Sequence, residues 1–148
     1  MSIWFADYQL SDLLKLKGIR LPHHNLATHL GIEFTQLGAD FLQARMPVDE
    51  RTKQPYGILH GGASVVLAET LGSFGANLTV DPDRFSVVGQ EINANHVRAV
   101  HKGYVIGTAR PLHRGKRSQV WEIRIEDEAQ RLVCISRITL AVLERAAG

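Results

Sequence analysis

The sequence predicts an α+β domain in which an antiparallel sheet curls around one central helix. Three observations carry this. Ala63 to Leu78 is dominated by Ala, Val, Leu and Phe over about four helical turns. That stretch is apolar nearly all round, which predicts a helix wrapped by protein rather than one lying on a surface. Four strand-like segments follow it, and two shorter ones precede it. The clearest alternates Trp121, Ile123 and Ile125 with Glu122, Arg124 and Glu126, giving one buried and one wet face.

From the N-terminus, residues 9–17 read as a short amphipathic helix, with Ser11 or Asp12 available to cap it and Gly18 to stop it. Trp4, Phe5 and Tyr8 would pack that helix. Pro22 begins a polar loop, and His29 to Phe34 leads into a first strand. Gly38-Ala39-Asp40 marks a turn, and Phe41 to Met46 forms a second strand that Pro47 ends. Thr52 to Gly62 is loop-like and delivers the chain to the helix. After the helix, strands are expected over Val87–Val100, Tyr104–Leu112, Ser118–Glu126 and Leu132–Leu143. Gly103, Gly115 and the segment Asp127 to Arg131 supply their turns.

The chain has 148 residues, with 45% hydrophobic and 22% charged, which fits one folded domain rather than a disordered chain. Seventeen basic residues against fifteen acidic ones leave a net charge of +2, too little to indicate nucleic-acid binding. A single cysteine, Cys134, excludes an internal disulfide framework, and its apolar strand marks it as a core residue rather than a nucleophile. No apolar run reaches membrane-spanning length, and Asp7 and Asp12 interrupt any signal-peptide pattern. The expectation is a cytoplasmic protein of one domain that engages neither membrane nor nucleic acid. The cluster His23, His24 and His29 has no nearby Cys and few acids, so it reads as surface loop rather than metal site. Ser64 lacks the glycine-flanked pattern of a nucleophile elbow.

Glu69 carries the most chemistry. It lies mid-helix between Ala68 and Leu71, where a carboxylate is expensive to bury, and buried acids cluster at functional sites. Taken alone, it also fits a thin polar stripe or a structural pair with arginine. Ser73 sits one turn further on the same face, so hydroxyl and carboxylate can share a water. His60-Gly61-Gly62 stands where the helix begins, and there the glycines expose backbone N–H groups at the positive end of the macrodipole. That arrangement suits an oxyanion hole. Gln54 adds a side-chain amide able to donate or accept. Gly61 and Glu69 are eight residues apart, about 12 Å along a helix, so one chain cannot bring both to the same carbonyl. A catalytic reading therefore needs two copies, with helices antiparallel across a two-fold axis.

The run Gln54-Pro55-Tyr56-Gly57-Ile58-Leu59-His60-Gly61-Gly62-Ala63, with Glu69 following, resembles the hotdog-fold acyl-CoA thioesterases. More narrowly, it resembles their glutamate branch, which includes 4-hydroxybenzoyl-CoA thioesterases and the 1,4-dihydroxy-2-naphthoyl-CoA hydrolases of the menaquinone pathway. The likeness continues through Val87-Val88-Gly89, Glu91 to Arg98, Pro111-Leu112-His113 and Gln119-Val120-Trp121. It spans roughly residues 30–144 and leaves the N-terminal helical extension (about residues 1–28) unmatched, free to cover or extend an acyl pocket.

The resemblance implies a homotetramer, a dimer of dimers, with active sites at the dimer interface. Glu69 resembles the catalytic carboxylate, nucleophile or general base, and the Gly61 amide the group that polarises the thioester carbonyl. Gln54 and His60 resemble positioning residues, and Ser73 the hydroxyl that orients water. Gly62, Phe74 and Gly89 are implied in substrate contact, Phe74 being bulkier than the side chains expected there and able to shorten the acyl pocket or stack on an aromatic acyl group. Coenzyme A enters as part of the substrate, with no separate cofactor or metal. Its phosphates need cations, which His113, Arg114, Gly115, Lys116, Arg117 and Ser118 offer as a basic turn, with His96 and Arg98 as a second patch. The turn alone also fits a solvated hairpin tip.

Two rival functions remain at this level. A non-catalytic acyl-CoA or acyl-carrier binding module would keep the basic turn and pocket but not need Glu69. A hydratase or dehydratase would need an acid or histidine at the β-carbon of the acyl chain, whereas this constellation points at the carbonyl.

Overall fold

The computed structural model describes residues 1–13 and 24–146. A 3-10 helix at Leu10–Asp12 is followed by α1 (Leu26–His29), β1 (Glu33–Leu37), β2 (Leu42–Pro47) and α2 (Gly61–Leu78). Then come β3 (Phe85–His96), β4 (Tyr104–Arg114), β5 (Ser118–Asp127) and β6 (Leu132–Glu144). The six strands form one antiparallel sheet in the order β1-β2-β4-β5-β6-β3, and α2 packs across it. This is the sheet around a central helix that the sequence predicts.

The register sends alternate residues to α2. Trp121, Ile123 and Ile125 of β5, with Ile138 and Leu140 of β6, meet Leu67, Ala68 and Leu71 of the helix, all essentially inaccessible to solvent. Each large aliphatic side chain so buried contributes about 1.5–3 kcal/mol. Trp121 shows how closely helix and sheet approach: a Cβ on Gly75 would lie 2.8 Å from its ring. The Trp121 indole N–H donates to Gln119 Oε1 at 2.8 Å, so its one polar atom is satisfied inside the core.

Four expectations change. The helix foreseen over residues 9–17 is, in its described part, the short 3-10 turn; residues 14–23, including Gly18 and Pro22, lie outside the described residues. Its N-cap is Gln9 rather than Ser11 or Asp12, with the Gln9 N–H donating to the Asp12 carboxylate at 2.8 Å. Where a loop running into a strand was expected, α1 forms, because Asn25 Oδ1 accepts from Thr28 N–H at 3.0 Å and the Thr28 hydroxyl takes the Asn25 N–H in return. Strand β3 ends at His96, not Val100, and the chain then leaves the sheet edge.

The fourth change concerns α2, which is covered on one side only. Its buried residues face the sheet, while Val65, Val66, Thr70 and Ser73 are half-buried and Glu69 is exposed. One sheet can cover only one face of a helix.

The described residues of the N-terminal segment are tied to the body of the domain. Trp4 stacks on Trp121 with ring centroids 6.3 Å apart, and its indole N–H donates to the Gly38 carbonyl at 2.7 Å. Phe5 N–H donates to the Leu78 carbonyl at the end of α2, and Leu13 is fully buried.

Candidate active site

The loop before α2 is held by Thr52. This buried residue donates its hydroxyl to the Pro47 carbonyl at 2.7 Å and accepts the His60 N–H on its own carbonyl at 2.8 Å. The Arg51 guanidinium, bonded to Asp49, holds that carboxyl below its ordinary range and stiffens the turn that carries Thr52. His60 then becomes the N-cap of α2. Its Nδ1 accepts the Gly62 N–H at 2.8 Å, which for a neutral ring puts the proton on Nε2.

The cap therefore occupies the Gly62 amide and leaves its neighbour open. Gly61 N–H has no acceptor among the described residues, and Gly61 lines a cleft of about 430 Å³. Gln54, Ser64, His96 and Arg98 also line it. A Cβ on Gly61 would lie 2.8 Å from His96 Nε2, so glycine is what lets β3 bring this imidazole against the helix start. Gln54 Oε1 accepts the Tyr56 N–H, which fixes the carbonyl end of the Gln54 side chain.

Glu69 lies two turns further on, where α2 meets the edge strand β3. Its Oε1 is 2.6 Å from where a Cβ on Gly89 would sit, so the carboxylate rests directly over that glycine. Glu69 is exposed in this chain, which corrects the expectation of a buried acid: it stands at the margin of the helix face that the sheet leaves uncovered. Ser73, half-buried, is one turn beyond on the same helix.

Other expected residues fall elsewhere. Phe74 packs on Phe34 with centroids 4.7 Å apart and the rings tilted by 52°. The pair lines an apolar cleft of about 540 Å³, together with Leu10 and Ser11 of the N-terminal segment and Ile32. Gly115, Lys116 and Arg117 line a third cleft, about 820 Å³, with Phe5, Arg84 and Phe85. In that tight turn Gly115 N–H donates to the Ser118 carbonyl at 2.9 Å, and His113 folds over Gly115. One chain thus gathers Gln54, His60, Gly61, His96 and Arg98 at one place and Glu69, Ser73 and Gly89 at another. Phe74 and the basic turn stand apart from both. Of the histidine cluster, His24 and His29 line a recess around α1, and His23 lies outside the described residues.

Residues 56–134 match the profile of the thioesterase superfamily. The chain belongs to the thioesterase superfamily. It is 56% identical over 119 residues to the 1,4-dihydroxy-2-naphthoyl-CoA hydrolase of Escherichia coli, covering 80% of this chain and 87% of that one. The proofreading thioesterase EntH of Cronobacter turicensis is 58% identical over 118 residues, 80% of this chain and 85% of that one. A solved thioesterase from Haemophilus influenzae superposes with a TM-score of 0.88 at 43% identity, covering 98% of this chain and 97% of that one. The fold is accordingly that of the hotdog thioesterases, and this member of the superfamily is a thioester hydrolase.

Two cleft residues of this thioesterase, Phe34 and Arg84, carry no functional signal in the sequence. In sequence Phe34 is one apolar residue in a short strand, and only the fold sets it against Phe74. Arg84 has no motif around it; its guanidinium lies over the Phe85 ring, 5.1 Å from the centroid, beside Lys116 and Arg117 in sequence-distant company. Among the described residues no helix is long and apolar enough to cross a membrane.

Proposed function

We propose that this thioesterase hydrolyses aromatic acyl-CoA thioesters, 1,4-dihydroxy-2-naphthoyl-CoA first among them, to the free acid and CoA. The observation that carries the reading is the pairing of an open Gly61 amide at the start of α2 with a carboxylate exposed on the uncovered face of the same helix. The 56% identity to the E. coli naphthoyl-CoA hydrolase supports the acyl group.

Eight helical residues keep Gly61 and Glu69 about 12 Å apart, so the complete site takes the amide from one copy and the carboxylate from the other. Strand β3 supports this assembly: it is the sheet's outer strand, exposed from Val88 to Glu91, and it carries Gly89 under Glu69. Two such edges side by side bring two α2 helices antiparallel. The working unit is a homodimer, paired again into a homotetramer, built from one cytoplasmic domain with an N-terminal extension over residues 1–28.

In the reaction the Gly61 N–H donates to the thioester oxygen, at the positive end of α2, and holds the charge that develops there. Glu69 acts as nucleophile on the carbonyl carbon or as general base on a water that Ser73 orients. The carbon–sulfur bond breaks, CoA leaves as the thiolate and takes up a proton, and one water is consumed, its oxygen entering the acid directly or replacing a Glu69 oxygen that does. Gln54 and His60 position the carbonyl; Gly62 and Gly89 leave backbone room for it. The Phe34–Phe74 cleft suits a flat aromatic acyl group. Lys116 and Arg117, with Gly115, His113 and Ser118 shaping their turn, receive CoA phosphates, with His96 and Arg98 beside the Gly61 cleft as a second contact. Coenzyme A is substrate here, and no metal takes part.

The test is thiol release from a panel of aromatic and aliphatic acyl-CoAs by wild type and Glu69→Gln. The substitution is expected to cost about a thousandfold or more in kcat while CoA-thioester binding persists. A Glu69→Gln enzyme that turns over like wild type would overturn the assignment. Label found in the Glu69 carboxylate after a single turnover in H2(18)O identifies a nucleophile, since general-base use carries none there; label in the acid alone fits either use.

A further inference from the structure

Asn77 ends the helix face that bears Glu69 and Ser73, and its side chain makes three hydrogen bonds. The amide nitrogen donates to the Ser73 carbonyl at 2.9 Å and to the Val87 carbonyl at 2.8 Å; the amide oxygen accepts the Val87 N–H at 2.9 Å. One side chain thus clips the Ser73 turn of α2 to β3 two residues before Gly89.

The location is unusual for a strand. Val87 pairs with Val142, whose own N–H donates away from β3 to the Arg117 carbonyl. The polar backbone groups of Val87 therefore face the open edge of the sheet, where a further strand would otherwise satisfy them. Asn77 takes both, acting as a short piece of strand supplied by the helix. Beyond Val87 comes Gly89, under the Glu69 carboxylate, and then a bulge between Gly89 and Glu91. The bulge interrupts the ladder just where Glu69 rests, so the hold on β3 nearest to that carboxylate from the helix side is Asn77.

We propose that Asn77 is a positioning residue for hydrolysis: by bonding Ser73 and Val87 at once, it fixes the distance between the helix carrying Glu69 and the strand carrying Gly89. The inference rests on the reading of Glu69 as the catalytic carboxylate. A misplacement of a fraction of an ångström to an ångström at a reacting group costs about 10- to 100-fold in rate.

Asn77→Ser isolates the effect. Serine can return its hydroxyl to the Ser73 carbonyl one turn back, but it cannot span to β3, so the helix keeps its local bond and only the clip is lost. The expected result is a 10- to 100-fold lower kcat on an aromatic acyl-CoA with KM within twofold of wild type. Ile125→Val, a core substitution on β5 remote from Asn77, serves as the control: it lowers Tm while kcat stays within twofold. In a Glu69→Gln background, Asn77→Ser is expected to remove little more. Wild-type kcat for folded Asn77→Ser, or a loss no larger than Ile125→Val shows at equal folded fraction, overturns the positioning role alone. Wild-type turnover by Glu69→Gln overturns the reading beneath it. If Asn77→Ser does not accumulate folded, Asn77→Asp, which keeps the acceptor for Val87 N–H and loses both donations, is read against the same thresholds.

Discussion

Gly89→Ala separates activity from stability. Gly89 lies in β3 beside the bulge with a φ outside the left-handed region, and the group that a methyl there would crowd is the Glu69 carboxylate. In the unfolded chain alanine has fewer conformations than glycine, which by itself stabilises the fold by about 0.4–1 kcal/mol. The new Cβ, however, would stand 2.6 Å from Glu69 Oε1, and ordinary contact begins near 3.4 Å. The carboxylate has to retreat by about 0.8 Å. It can do so cheaply, since Glu69 is exposed and its side chain has rotamers to spare. On the proposed role of Glu69, which meets a carbonyl carbon or its water, a displacement of that size predicts a kcat lower by about 10- to 100-fold, or about 1.4–2.7 kcal/mol of transition-state stabilisation. The assay is thiol release under saturating substrate beside a thermal melt. The signature is a Tm equal to or above wild type with kcat reduced. Unchanged kcat would refute the argument, because the position of the Glu69 carboxylate over Gly89 would then not matter to turnover. A Tm that falls along with kcat would equally refute it, since the loss would then be one of folding.

Two further outcomes concern the fold. Trp4→Ala removes the stack on Trp121 and the hydrogen bond to Gly38, which together with lost burial predicts a loss of about 2–4 kcal/mol and a Tm lower by about 5–15 °C. A melt unchanged from wild type would mean that the N-terminal segment is not held by this contact. At the β5–β6 turn, Asp127 accepts the N–H groups of Arg131 and Ala129 and pairs with the Arg131 guanidinium, and these bonds, the Arg131 N–H first, hold its carboxyl below the usual range. Because the folded value is depressed, the stabilisation is complete above the unfolded carboxylate pKa of about 3.9 and is lost as pH falls through the folded value. Melts of wild type and Asp127→Asn between pH 6 and pH 2 should therefore converge on the acid side, and curves that stay parallel would remove Asp127 from the acid response.

What the sequence made legible follows from how long each pattern ran. Helix α2 and strands β4, β5 and β6 each repeat their period often enough to be read within a few residues of their ends, and Trp121, Ile123 and Ile125 do face the helix as their alternation requires. Helix α1 is a single turn fixed by the reciprocal Asn25–Thr28 bonds, and too few residues repeat for a period to appear. The Phe34–Phe74 contact and the Asn77 clip join residues 40 and 10 positions apart across different elements, so no local pattern announces them. Glu69 is the instructive miss. An apolar helix read as covered all round makes its one acid look buried, yet the sheet of the same chain covers a single face and leaves Glu69 exposed with Val65 and Val66 half-covered beside it. The composition of α2 is thus matched to more cover than one chain supplies, and the side left short is the one that carries the carboxylate. On the proposed mechanism, the separation of Gly61 from Glu69 along that helix makes the same demand. The second copy proposed above, laid against the β3 edge, would answer both: it would cover the apolar remainder of α2 and bring an amide to a carboxylate that its own chain cannot reach.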